Sequence, residues 1–226
     1  MKLKILTLIS LFFTVFELSY GQYTSSGSSV RSTAGSFVTM DLGFSSPTGA
    51  AANFDMDDSW ENALGVAGGI YFGMSHNSTL FSISSASVGF YGQFGVQAYG
   101  MQKEYEDYGY EVGGLFDNVR IEYEIGPSMT FPINEKINVD AYLKGGLAWV
   151  SAPYLSYSYD YSSSIDLGEA FGFVYGLGAK VRLSSFVFGL DINPGKMEFN
   201  GDYTNDLSVS NIRFTVGMDL LALKNR

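Results

Sequence analysis

The sequence contains no cysteine, a single histidine (His76) and only 5 prolines. Each scarcity excludes something. Without cysteine there can be no disulfide framework, no thiol nucleophile, no Cys/His metal site and no lipidated N-terminal cysteine. One histidine leaves imidazole chemistry resting on a single position. Basic residues are also few, with 13 Lys and Arg against 23 Asp and Glu, a net charge of −10. That balance argues against nucleic acid, whose phosphates call for a basic patch. After Phe16 no apolar run approaches the roughly 20 residues a spanning helix needs. No phosphate-loop or dinucleotide pattern stands at a strand-to-helix turn.

The first residues have a different character. Lys2 and Lys4 precede an apolar run, Ile5–Phe16, broken only by Thr7, Ser10 and Thr14. Ser19-Tyr20-Gly21 supplies small residues at the expected cleavage positions. This pattern predicts a Sec signal peptide over residues 1–21, cleaved before Gln22. Losing Lys2, Lys4 and Glu17 leaves a net charge of −11. Residues 22–35 are rich in Ser and Gly and are expected to form a flexible lead.

What the remainder has is alternation. Val119, Ile121, Tyr123, Ile125, Met129 and Phe131 are apolar; Arg120, Glu122, Glu124, Ser128 and Thr130 lie between them. After a short link, Ile137, Val139, Ala141, Leu143, Leu147 and Trp149 alternate with Asn138, Asp140, Tyr142 and Lys144. A period of two places these sets on opposite faces of a β-hairpin. The same pattern predicts strands over 36–45, 64–74, 88–101, 171–183, 186–193 and 212–220, for eight in all. Ser75–Ser87 reads as a turn region containing His76, exposed beside Asn77 and Ser78. Asn193-Pro194-Gly195 reads as a bulge or break.

Long connections follow the first, third, fifth and seventh strands: residues 46–58, 102–118, 156–169 and 200–207. Short ones follow the second, fourth and sixth. Transmembrane barrels show this asymmetry. The faces opposite the apolar ones are not uniformly polar, as in a solvated sheet. They mix Gly and Ala with isolated charges, which suits a lumen only just wide enough for side chains to fill. The predicted fold class is therefore all-β, an eight-stranded antiparallel transmembrane β-barrel over residues 36–226. Phe44, Trp60, Phe72, Phe131, Trp149, Tyr154 and Phe186 are candidate interfacial girdles.

The lumen would hold Asp41, Arg120, Glu122, Glu124, Asp140, Lys144, Lys180, Arg182, Asp191, Arg213 and Asp219. Six acids nearly cancel five bases. We expect a cross-strand ion-pair network, with Arg120 beside Glu122, Lys144 near Asp140, and Asp41 reaching Arg213 across the closure seam. The long loops are acidic and rich in tyrosine, a mixture suited to surface recognition. Asp55, Asp57, Asp58, Asp202 and Asp206 carry oxygen ligands, but their spacing matches no calcium loop, so no metal or other cofactor is expected.

These features resemble the eight-stranded outer-membrane β-barrel domain family of Gram-negative bacteria, the OmpA-transmembrane, OmpX and PorT-like group. The likeness rests on the signal peptide ending at Gly21-Gln22, on eight alternating strands from Phe37 to Leu220, and on Thr215-Val216-Gly217-Met218-Asp219-Leu220-Leu221-Ala222. That last stretch is similar to the family's assembly signal, without its terminal aromatic. The resemblance implies an outer-membrane protein inserted by the barrel assembly machinery and surrounded by outer-membrane lipid. Its expected function is non-enzymatic, structural or surface-interacting, with an extracellular or envelope protein as partner and no nucleic acid. Two other readings stay open: a lipid-modifying barrel enzyme using His76, and a secreted soluble ligand-binding barrel.

Overall fold

The computed structural model describes residues 36–48, 66–83, 85–101, 110–112, 118–151, 154–159, 161–166, 168–201 and 206–224. The expected signal peptide and lead, Trp60, Asp55, Asp57, Asp58 and Asp202 lie outside them. In chain order the strands are β1 (Phe37–Pro47), β2 (Val66–Ile83), β3 (Ala86–Met101), β4 (Tyr110–Val112), β5 (Asn118–Pro132), β6 (Ile137–Ser151) and β7 (Tyr154–Tyr159). They continue as β8 (Tyr161–Asp166), β9 (Glu169–Leu183), β10 (Phe186–Asn193), β11 (Lys196–Glu198), β12 (Asp206–Ser208) and β13 (Asn211–Asp219), followed by a short helix, α1 (Leu220–Lys224).

Eight of these strands close an antiparallel barrel in the order β1-β13-β10-β9-β6-β5-β3-β2. The strand pairing fixes its shape. Phe37 pairs with Asn77, Asn77 with Tyr91 and Tyr91 with Gly126. Farther round, Lys144 pairs with Gly176, Asn193 with Asn211, and Asn211 with Pro47. The circuit thus returns to β1 ten residues beyond its start, between Phe37 and Pro47. With ordinary strand spacings that stagger tilts the strands by about 40°, and eight strands then enclose room for side chains and little else.

Burial alternates as the hydropathy does, but inside out. Leu42, Leu143 and Phe173 on the outer face are 61%, 60% and 65% exposed, whereas Glu122 and Arg213 inside are wholly buried at 0%. Such a surface is stable against lipid tails and costly in water. The fold is thus the transmembrane barrel that the alternation implied. No helix of the described residues is long and apolar enough to cross a membrane; the strands are the crossing elements.

Three local features differ from the sequence reading. First, 75–87 is not a turn region: β2 continues to Ile83 and β3 begins at Ala86. The polar side chains there line the lumen. Ser75 Oγ accepts from Lys180, and Ser128 Oγ donates to Asn77. Consequently His76 is a strand residue on the outward register, buried, with its ring over Gly92 of β3. Second, β13 stops at Asp219, and Leu220 and Ala222 of the expected terminal pattern belong to α1. Asp219 Oδ1 caps that helix by accepting from Leu221 N (3.0 Å) and Ala222 N (3.2 Å), which satisfies amides a strand would have paired. Third, Trp149 is buried, and Phe72, though exposed, lies well inside β2 and not at its end; Phe44, Phe131 and Phe186 are exposed.

The two ends of the barrel are built differently. At the turn end are the tight links 133–136 and 184–185, both chain termini of the barrel, and α1. At the loop end, β7 and β8 form a hairpin that pairs with β4 into a three-stranded sheet. β11 pairs with β12, and Phe199 bridges to Ala170 of β9.

Candidate functional site

All eleven charged residues expected in the lumen are buried: Asp41, Arg120, Glu122, Glu124, Asp140, Lys144, Lys180, Arg182, Asp191, Arg213 and Asp219. They occur in layers. Nearest the turn end, Arg182 forms a two-pronged pair with Asp140, Nε to Oδ2 at 2.7 Å and Nη2 to Oδ1 at 3.1 Å. Its third nitrogen reaches Asp219 at 3.5 Å, and its guanidinium stacks over Phe37 at 4.6 Å. Thr130 Oγ1 adds a 2.6 Å hydrogen bond to Asp140.

The next layer joins Lys180 to two strands, β1 and β2. Its ammonium donates to Asp41 Oδ2 (2.6 Å), Ser75 Oγ (2.6 Å) and Thr39 Oγ1 (3.1 Å). Asp41 therefore meets Lys180 and not Arg213. The cause is register: Asp41 pairs with Gly217 across the seam, while Arg213 pairs with Ser45, four residues up the strand. Beside this layer the rings of Tyr91 and Tyr142 stack, with centroids 3.9 Å apart and planes 9° apart.

At mid-barrel, Lys144 lies 2.9 Å from Glu124 and 3.2 Å from Asp191. Asp140, its expected neighbour, is taken by Arg182. Tyr142 OH donates to Asp191 Oδ1 at 3.0 Å. Arg213 donates through Nη1 to Glu122 at 2.5 Å and through Nε to Asp191 at 3.2 Å, with its guanidinium 4.1 Å from the Tyr71 ring centroid. Arg120 Nε lies 2.8 Å from Glu122 Oε2, so Glu122 stands between two guanidinium groups. Shared partners of this kind supply the mutual compensation that buried charges require.

Glycines create the space for these groups. A Cβ at Gly178 would strike Asp191 Oδ1 and the Tyr142 ring, and one at Gly217 would strike Asp41 Oδ1. The small residues of the inward faces are thus the counterparts of the large charged ones.

Above the charges the lumen changes character. Tyr99, Ala148, Val150, Ala170 and Val174 from the barrel wall pack with Met197, Phe199 and Val209 from the connection between β10 and β13. This segment turns inward and closes the loop end with an apolar plug. Val150 and Val174 sit on the inward register, and those two breaks in the polar face were the available signal for it. Nothing in the irregular run around Met197 indicated that it folds back.

The turn end is instead polar and open. A cavity of about 430 Å³ is lined there by Asn134, Lys136, Arg182 and Asp219, together with Leu221 of α1. Among the described residues there is no group of three or more His, Asp or Glu that could hold a metal ion. His76, on the opposite side of the wall, faces none of these groups.

The fold and its filled lumen define the class: an eight-stranded membrane β-barrel. No family model and no curated protein matches the chain. Among solved structures it is similar to Ail, the attachment invasion locus protein of Yersinia pestis, at 15% identity. That match covers 83% of this chain and 98% of Ail, with a TM-score of 0.43. Ail in complex with the heparin analogue sucrose octasulfate matches at 13% identity, 82% and 97% coverage and a TM-score of 0.41. The outer membrane protein Ail in a phospholipid bilayer nanodisc matches at 14% identity, 82% and 99% coverage and a TM-score of 0.38.

Proposed function

We propose that this chain is a non-enzymatic integral protein of the bacterial outer membrane, closed to solutes and acting at the cell surface through its acidic, tyrosine-rich loops. Its signal peptide directs export, the barrel assembly machinery inserts it, and outer-membrane lipid surrounds it. The turn end then faces the periplasm and the loop end faces outward. The observation that carries this reading is the inverted burial: apolar side chains exposed on the outer wall and eleven charges buried within. A soluble ligand-binding barrel would present the reverse.

Closure follows from the filling. The ion pairs occupy mid-lumen, the Tyr91–Tyr142 stack lies below them, and the plug lies above. Eight strands leave no room for a bypass. Recognition is assigned to the loop end because, among the described residues, β4 and β8 are the outer strands of the β4-β7-β8 sheet beyond the barrel. Exposed edges are sites where another chain adds a strand. An enzymatic role has little to support it: His76 sits on the outer wall over Gly92, and none of the ion-pair partners of the lumen approaches it.

Cell fractionation tests the assignment. The protein should sediment with outer membranes, resist alkaline extraction and need detergent for release. Recovery in a detergent-free periplasmic or culture fraction would overturn it. Deleting the β7–β8 hairpin should abolish any surface binding while leaving insertion intact.

A further inference from the structure

We infer that Arg120 is a latch that ties the loop-end plug to the central charges, so that the seating of the plug depends on the ion-pair network. Arg120 is 2% exposed and uses both arms of its guanidinium. Nη1 donates to the main-chain carbonyl of Val209 at 2.8 Å, and Nε lies 2.8 Å from Glu122. Val209 belongs to the plug, and Glu122 is the carboxylate that Arg120 shares with Arg213. One planar cation thus bridges a folded-back loop and the buried core, the two-armed geometry at which Arg excels and Lys does not.

Other polar bonds of the described residues join the plug to the wall. Asn200 N donates to Glu169 O at 3.2 Å, and Glu169 N to Asn200 Oδ1 at 2.9 Å. At its base Val209 N donates to Gly195 O at 2.9 Å, a bond within the loop itself that does not reach the barrel. Asn211 Nδ2 of β13 also reaches the Val209 carbonyl, at 3.4 Å, and apolar contacts of Met197, Phe199 and Val209 with Val150 and Val174 complete the seating. The plug is entered through Pro194-Gly195 and left at Ser210, whose carbonyl accepts from Thr48 N at 3.0 Å. Among these anchors Arg120 supplies the short charge-assisted bond, and the only one that continues into the ion-pair network. The consequence for function is that the connection between β10 and β13 is a seal, and recognition is left to the other long connections. The inference rests on the closed-lumen reading; conductance tests that reading as a whole, and the experiment below tests the latch alone.

The cysteine-free chain permits a direct test. A Cβ at Gly172 points into the lumen and meets only Met197, at 3.5 and 3.8 Å, so Gly172→Cys places a thiol beneath the plug without strain. A polar maleimide should modify this thiol slowly in the purified folded barrel and modify Glu198→Cys, on the exposed side, rapidly. Adding Arg120→Gln should raise the rate at position 172 by at least about tenfold, since a hydrogen bond from a charged donor is lost. Ser75→Cys, deep in the lumen, should stay slow, which separates unlatching from general loosening. Should Arg120→Gln not fold, Arg120→Lys is measured the same way; it keeps a cation beside Glu122 but lacks the second arm. Rapid modification at 172 without the Arg120 change would overturn the plug. An unchanged rate in the folded Arg120 variant, or an equal rise at position 75, would overturn the latch.

Discussion

The lumen is filled twice, by opposite chemistry. Its middle is charged: five cations and six carboxylates from six strands, most sharing a partner with a neighbour. Its loop end is apolar, filled by Met197, Phe199 and Val209. The charged region ties strands distant in sequence, as Lys180 does with Asp41 139 residues away. The plug packs one connection, between β10 and β13, against β3, β6 and β9. The first should therefore govern the stability of the whole barrel, and the second only its own seating. Charge pairs inside a wall are directional and fix register, whereas apolar contacts tolerate local exchange of shape.

The largest effect should come from breaking the charge network. Arg213→Leu leaves Glu122 and Asp191 short of a partner and should cost about 3–5 kcal/mol, read as a lower unfolding midpoint in detergent or lipid. A loss below about 1 kcal/mol would place the hold on the barrel elsewhere. Next is the outer wall. Leu143→Arg puts a charge against lipid near mid-membrane and should cost about 2–4 kcal/mol, whereas Arg at Tyr157, in β7 beyond the barrel, should be tolerated. Equal tolerance of the two would reverse the assigned orientation. Arg at Gly146 should fail outright, since even a Cβ there strikes the Tyr123 carbonyl.

Smaller effects sharpen the contrast. Tyr142→Phe removes only the hydrogen bond to Asp191 and should cost about 1 kcal/mol in the same unfolding assay. Phe199→Ala empties part of the plug. It should shift the unfolding of the barrel by less than about 1 kcal/mol while amide exchange in residues 195–201 accelerates. A global loss as large as that of Arg213→Leu would show the two regions to be one cooperative unit.

The sequence revealed these regions unevenly. Strict alternation along β5 and β6 made the charged lumen legible, because a period of two leaves each side chain only one of two faces. Which charges meet was less legible. Asp41 finds Lys180 because barrel stagger, not adjacency along the seam, decides height in the lumen. The Ser75–Ser87 stretch looked like a turn because Ser, His and Asn are turn formers. Inside a barrel the same Ser75 and Asn77 are satisfied by lumen partners, so local propensity yields to tertiary hydrogen bonding. The terminal pattern failed at Leu220 for a converse reason: the Asp219 carboxylate offered a helix cap that the alternation did not register. The plug left only Val150 and Val174 as traces, since a loop folding back obeys no period.

Single-molecule conductance in planar lipid bilayers bears most directly on the central claim of a sealed, charge-filled membrane barrel. Purified protein should insert and show no large steady current, with at most brief small openings. A large, stable open channel in the unmodified protein would contradict the sealed lumen and point to transport instead.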